Sequence, residues 1–250
     1  MVANTIRGVS MKIIRVKDYQ ELSQVASQIM IDLLKKKPDA TLGLATGSSP
    51  IGLYQNIIKS YDNKEISFKQ VKTYNLDEYC DLPRTHPESY YNFMHRHLFH
   101  HVDIKEENVH VPSAEGSDLQ AQCDHYNRLL NQTTIDLQLL GIGGNGHIGF
   151  NEPGTPFHNE TFVVRLTEKT REDNKRFFNS IDEVPTHAIT MGIKNIMKAR
   201  AILLIASGKS KQKAVYELIN GLVTEDFPAS ILQRHPDVTV VIDEEAAGLL

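Results

Sequence analysis

Cysteine is scarce in this 250-residue chain, and it has neither a strong net charge nor a long apolar run. The two cysteines, Cys80 and Cys123, are too few for a disulfide scaffold and fit a reducing compartment. Lysine and arginine number 27 against 31 aspartates and glutamates, a net charge of −4 that gives no argument for a polyanionic partner. No apolar stretch approaches the ~18 residues of a membrane span, so neither nucleic acid nor a bilayer is an expected partner. No internal period repeats and no biased stretch reads as a linker. Met1 to Ser10 lack the apolar centre of a secretory signal and precede a second methionine, Met11; they read as an expression leader or flexible N-terminus. The expectation is a cytoplasmic protein with a single domain over residues 11–250.

What the chain does have is a recurring pair of elements, a short apolar run followed by an amphipathic helix. Met11–Val16 reads as a strand, and Leu22, Val25, Ala26, Ile29 and Leu33 then recur at helical spacing until Lys35-Lys36-Lys37-Pro38 closes the helix. Further strands are predicted at Thr41–Ala45, Val71–Asn75, Asn108–Val111, Ile135–Ile142, Thr161–Leu166, His187–Met191, Ala201–Ala206 and Val238–Ile242. Helices are predicted at Pro50–Tyr61, Pro87–Phe99, Asp118–Leu130, Glu168–Phe178 and Lys211–Asn220. Runs such as AILLIA and VTVVI are apolar on both faces, as a parallel sheet covered by helices requires. The fold class is therefore α/β, one doubly wound domain with a mainly parallel sheet flanked by helices. Such sheets place function at the carboxyl ends of their strands.

Three strand-end loops carry polar groups. Thr46-Gly47-Ser48-Ser49-Pro50 joins a strand to a helix; Pro50 suits the first helical position and Ser49 can cap it. Free N–H groups there can cradle an anion, most simply a phosphate, although an ordinary capped turn has the same composition. Asn75-Leu76-Asp77-Glu78-Tyr79 offers two adjacent carboxylates, suited to base or metal chemistry or merely to capping. Gly141 to Gly146 satisfy G-x-G-x-x-G after a strand, but Gly146, Gly149 and Pro153 forbid the long helix a dinucleotide site needs. What remains is a glycine-lined loop presenting Asn145, His147, Asn151 and Glu152, an acid–base arrangement of histidine beside carboxylate. Arg171, Lys175, Arg176, Lys209, Lys211 and Lys213 are cations that either complete an anion site or cover a solvated face. His97 and His101 have i, i+4 spacing without an HExxH pattern, a weak zinc signature.

The segments TGSSP, NLDEY, HPESYYNFMHRH, GIGGNGHIGFNEPG and LQRHP occur in the order and at the spacing of the glucosamine-6-phosphate deaminase family. The chain resembles that family from about Met11 to Glu245, and NLDEY with GHIGFNEP is the specific part. The resemblance implies a modified Rossmann-type fold. It also implies conversion of glucosamine 6-phosphate and water to fructose 6-phosphate and ammonia, with no redox cofactor and no catalytic metal. By the same resemblance His147 opens the sugar ring with Asn145 and Glu152, Asp77 moves the C2 proton, and Thr46, Gly47, Ser48, Ser49, Arg176 and Lys211 hold the phosphate.

Two departures qualify the match. Many members carry aspartate where this chain has Asn145, so Asn145 is expected to orient His147 while Glu152 alone supplies negative charge. Allosteric members place basic residues where this chain has Phe162 and Val164, and they have a longer C-terminal extension. The resemblance is thus to the short non-allosteric branch, with hyperbolic kinetics and a monomer or small homo-oligomer expected. Two other readings stay open from the residues. One is a 6-phosphogluconolactonase, which has no need of a carboxylate for C2–C1 proton transfer. The other is a sugar-phosphate sensor, which would bring a DNA-binding helix-turn-helix.

Overall fold

The computed structural model describes residues 11–250, so the reading of residues 1–10 as a leader lies outside the described residues. The strands are β1 Met11–Val16, β2 Thr41–Leu44, β3 Lys72–Asn75, β4 Asp77–Tyr79, β5 Val109–His110, β6 Leu137–Leu140, β7 Phe162–Arg165, β8 His187–Thr190, β9 Ala201–Ala206 and β10 Val238–Asp243. The helices are α1 Tyr19–Lys36, α2 Ile51–Asp62, α3 Tyr90–His97, α4 Leu119–Asn131, α5 Glu168–Asn174, α6 Ile193–Ile196 and α7 Gln212–Asn220.

Local chemistry accounts for most of these boundaries. Asp18 caps α1 by accepting from the Glu21 N–H, Leu22, Ala26, Met30 and Leu34 form its buried stripe, and Lys35 and Lys36 meet its negative end. Ser89 caps α3 through the Asn92 N–H, so that helix starts at Tyr90 rather than at the predicted Pro87. The charged helix predicted over Glu168–Phe178 is shorter too: Thr167 caps it, α5 ends at Asn174, and a 3-10 turn, Lys175–Phe177, follows.

Seven strands form an all-parallel sheet in the order β1-β10-β9-β6-β2-β3-β5. β9 is buried along nearly its whole length and β10 almost as completely, consistent with helical cover on both faces. From β2 the order runs one way to β3 and β5 and the other way to β6 and β9. The crevice at the carboxyl ends of β2 and β6 is therefore the topological switch point, the usual ligand position in open α/β sheets.

The predicted strands around 161–166 and 187–191 exist but lie outside this sheet. With β4 they form a second, antiparallel sheet in the order β4-β8-β7. The chain leaves the central sheet at Asn75, and the Leu76 carbonyl accepts from the Met191 N–H, starting the new pairing. Asp77 then faces Thr190 in register. Periodicity reveals a strand but not which sheet it joins, and β4, three residues long, was invisible to it.

Candidate active site

The loop after β2 is shaped by two glycines and a tyrosine. Gly47 has φ +89°, a conformation that glycine adopts without strain. Ser49 does not cap α2 as its position suggested; Pro50 occupies the N-cap without a side-chain bond. The phenol of Tyr19 takes over, accepting from the Gly52 N–H at 3.0 Å and lying 3.1 Å from the Ser48 and Ser49 carbonyls. Gly52 permits this approach, since a Cβ there would stand 2.4 Å from Ser23 Oγ. The Ser48 hydroxyl instead accepts from the Arg176 guanidinium at 3.2 Å, and that guanidinium also lies over the Phe177 ring.

A second cation enters from the loop after β9. Gly208, at φ +90°, starts the turn that leads into α7, and the buried Asp243 carboxylate fixes it by accepting from the Gly208 N–H and the Ser207 hydroxyl. Lys211 then reaches across to donate to the Ile142 carbonyl at 2.8 Å. Burial holds its ammonium below the ordinary lysine range, with Asp173 opposing and Arg176 and Lys169 reinforcing. Two basic side chains, three hydroxyls and the loop N–H groups thus converge from residues far apart in sequence.

The paired carboxylates of NLDEY have separate fates. Glu78 accepts from the backbone N–H groups of Tyr79, Tyr90 and Tyr91 at 2.8–2.9 Å, so it holds the start of α3. Asp77 is 6% exposed and faces the crevice. Burial first, and the Glu78 charge second, push its carboxyl from an ordinary 3.8 to about 8. The Asp77 carboxyl is therefore poised to gain or lose a proton near neutrality.

The loop after β6 carries no helix, in keeping with the rejected dinucleotide reading. Its glycines make room: a Cβ at Gly143 would stand 2.4 Å from the His147 ring, and one at Gly146 (φ +85°) 2.4 Å from the Phe227 ring. Asn145 joins histidine to glutamate, its Oδ1 accepting from the His147 N–H at 3.2 Å and its Nδ2 donating to Glu152 Oε2 at 2.8 Å. His147 Nδ1 stands 3.5 Å from the same Glu152 oxygen, within reach of charge attraction but not aligned as a hydrogen bond. Burial raises the Glu152 carboxyl, and His147, Thr170 and Asn145 together overcome it and hold the group below the usual range. Asn151 is structural, its amide donating to the Ile148 and Met191 carbonyls.

These features share one cleft of about 620 Å³. Thr46, Gly47, Ser48, Ser49, Asp77, His147, Arg176 and Lys211 all line it, whereas Asn145 and Glu152 stand behind His147. Arg171 is not brought in; it donates to the Ile181 and Val184 carbonyls. Sequence reasoning missed Tyr19, Thr170 and Asp243, whose roles depend on tertiary approach and leave no local motif. The weak zinc signature gains no third ligand: the His97 ring lies on Phe93, and no group of three metal-ligating side chains occurs among the described residues.

A protein-family model described as glucosamine-6-phosphate isomerases/6-phosphogluconolactonase matches residues 17–241. Glucosamine-6-phosphate deaminase of Halalkalibacterium halodurans is 52% identical over 237 residues, 94% of this chain and 96% of that protein. A solved monomeric glucosamine-6-phosphate deaminase superposes with a TM-score of 0.94 at 49% identity, covering 96% of this chain and 100% of the other. The 6-phosphogluconolactonase of Trypanosoma brucei superposes at 0.79 with 19% identity, over 97% of this chain and 100% of its own, and so shares the fold alone. Sequence identity at this level and over this length makes the chain a member of the glucosamine-6-phosphate isomerase/6-phosphogluconolactonase family.

Proposed function

We propose that this protein converts glucosamine 6-phosphate and water to fructose 6-phosphate and ammonia. The observation that carries this reading within the family is Asp77: a buried carboxyl, raised to about 8, lines the same cleft as the anion loop and His147. Lactone hydrolysis calls for a base to activate water, not for a second proton-transfer group placed to serve two adjacent carbons.

The steps follow from the side chains. The phosphate sits among Thr46, Gly47, Ser48, Ser49, Arg176 and Lys211, which supply binding energy remote from the reacting carbons. His147 takes the anomeric hydroxyl proton and returns a proton to the ring oxygen, opening the sugar to its aldehyde. Glu152 stabilises the imidazolium formed in between, and Asn145 holds both in place. Asp77 removes the C2 proton, giving an enolamine, and delivers it to C1. The C2 imine that results adds water, and the carbinolamine collapses to the ketone as ammonia leaves.

Cytoplasmic location is supported by the two buried free cysteines, and no helix among the described residues is long and apolar enough to cross a membrane. A monomer is the favoured state, in line with the monomeric relative. The decisive experiment follows fructose 6-phosphate and ammonia together from glucosamine 6-phosphate, with Asp77→Asn as control. Equal yields abolished by the substitution support the reading. Absence of both products, with hydrolysis of 6-phosphogluconolactone instead, overturns it.

A further inference from the structure

Thr170 lies on α5, outside every motif that marks the site, yet it is 4% exposed and lines the cleft. Its hydroxyl donates to Glu152 Oε1 and accepts from the Thr167 hydroxyl at 2.9 Å. The Thr167 hydroxyl in turn accepts from the Thr170 N–H at 3.1 Å, closing the cap of α5. With Thr167 donating to it, the single Thr170 proton is committed to the carboxylate. Glu152 is thereby held on both oxygens: Oε1 by α5, and Oε2 by Asn145 and the nearby His147. The turn that follows α5 carries Arg176, whose guanidinium contacts Ser48 in the anion loop. One short segment therefore touches both the group behind the ring-opening histidine and the phosphate cradle.

We propose that Thr170 is a positioning residue that fastens the Glu152 carboxylate serving His147 to the α5 segment. The inference rests on the proposed deaminase chemistry for its kinetic meaning, but the coupling itself is structural. A hydroxyl donating to a carboxylate favours the ionised form, so its loss moves the glutamate towards protonation at higher pH. His147 is the titratable group facing Glu152. Asp77 from β4, Lys169 and Asp173 from α5, and Lys211 before α7 line the cleft beyond it.

The test compares Thr170→Val, Thr170→Ala and Thr170→Ser with the unsubstituted protein, all checked for folding. Removing the hydroxyl should lower kcat about 10-fold or more while KM for glucosamine 6-phosphate changes less than about 3-fold. Thr170→Ser should restore kcat. Carboxyl 13C NMR of Glu152 should show its titration displaced to higher pH in the valine and alanine variants without any turnover. Should the unsubstituted protein leave glucosamine 6-phosphate untouched, the functional reading fails, while the NMR titration still decides the Thr170 coupling. An unmoved Glu152 titration in both hydroxyl-free variants, or a serine variant as impaired as valine, overturns the proposal.

Discussion

Asp77 is expensive to keep charged. Its carboxyl binds a proton near pH 8 in the folded protein but near 3.8 when unfolded, so raising the pH through that window costs stability, and the cost is complete above about 8. Asp77→Asn should therefore abolish turnover and yet raise Tm, the relief being at most about 6 kcal/mol, with about 2–4 °C for each kcal/mol. The gain should be largest at about pH 9 and vanish below about pH 4; differential scanning calorimetry at both extremes reads it, and equal Tm values at about pH 9 would contradict the assignment. In the same terms kcat/KM of the free enzyme should climb towards about pH 8 as Asp77 ionises. Asn145 gives a second test. Its Nδ2 sits 2.8 Å from a Glu152 oxygen, so Asn145→Asp sets two carboxylates against each other and one must keep a proton. The pH–rate profile should shift to higher pH, and an unmoved profile would count against the orienting role. As residue types Asp77 and Glu78 are alike, and from sequence the family resemblance alone singled out Asp77. Only the backbone donors of Tyr79, Tyr90 and Tyr91 reveal that Glu78 is structural and Asp77 faces the cleft.

Among elements, loops were more legible than strands' partners. The TGSSP loop reads as a candidate anion site through its glycine and hydroxyls, and its place in the cleft was legible from its position at the end of a strand. Its true cap, Tyr19, was hidden because the first residue of α1 meets α2 only in three dimensions. Arg176 and Lys211 looked like any helical surface charge; what separates them from Arg171 is where the 3-10 turn after α5 and the Gly208 turn aim them. If both bind the phosphate, Arg176→Gln and Lys211→Gln should each raise KM about 10- to 100-fold, the worth of one charge-assisted bond, with a smaller change in kcat. Steady-state kinetics read this directly, and unchanged KM values would remove that side chain from the phosphate site. Strands β7 and β8 were found at nearly the right residues, but their pairing in a second sheet was not foreseen, since strand periodicity encodes burial and not partnership.

At the scale of the whole molecule, strand–helix alternation and doubly apolar strands were enough to fix a parallel α/β architecture and to direct attention to strand ends. They did not reveal the division into two sheets. Phe162 and Val164, which by the family resemblance stand where allosteric members bind N-acetylglucosamine 6-phosphate between subunits with basic residues, belong to β7 and join the apolar cluster of Tyr79, Phe150 and Leu166. Neither can hold a phosphate between subunits. Saturation by glucosamine 6-phosphate should therefore be hyperbolic and indifferent to N-acetylglucosamine 6-phosphate, with a monomer in sedimentation. A sigmoidal curve relieved by the acetylated sugar would refute this.

The two sheets also share the labour. On the proposed reading the anion is held by the parallel-sheet loops after β2 and β9 and by Arg176 from the turn after α5, which lies between β7 and β8, whereas Asp77 starts the antiparallel sheet. The histidine loop leans on that smaller sheet through Thr190, whose hydroxyl accepts from the Phe150 N–H, and through the Met191 carbonyl. Recognition of a sugar phosphate and the choice of reaction thus draw on both sheets and meet in the α5 segment between β7 and β8. A lineage that rewrote the smaller sheet to change the chemistry would inherit the handle offered by the loops after β2 and β9 and would have to rebuild the contact made by Arg176, so new reactions on this scaffold are tied to one short segment.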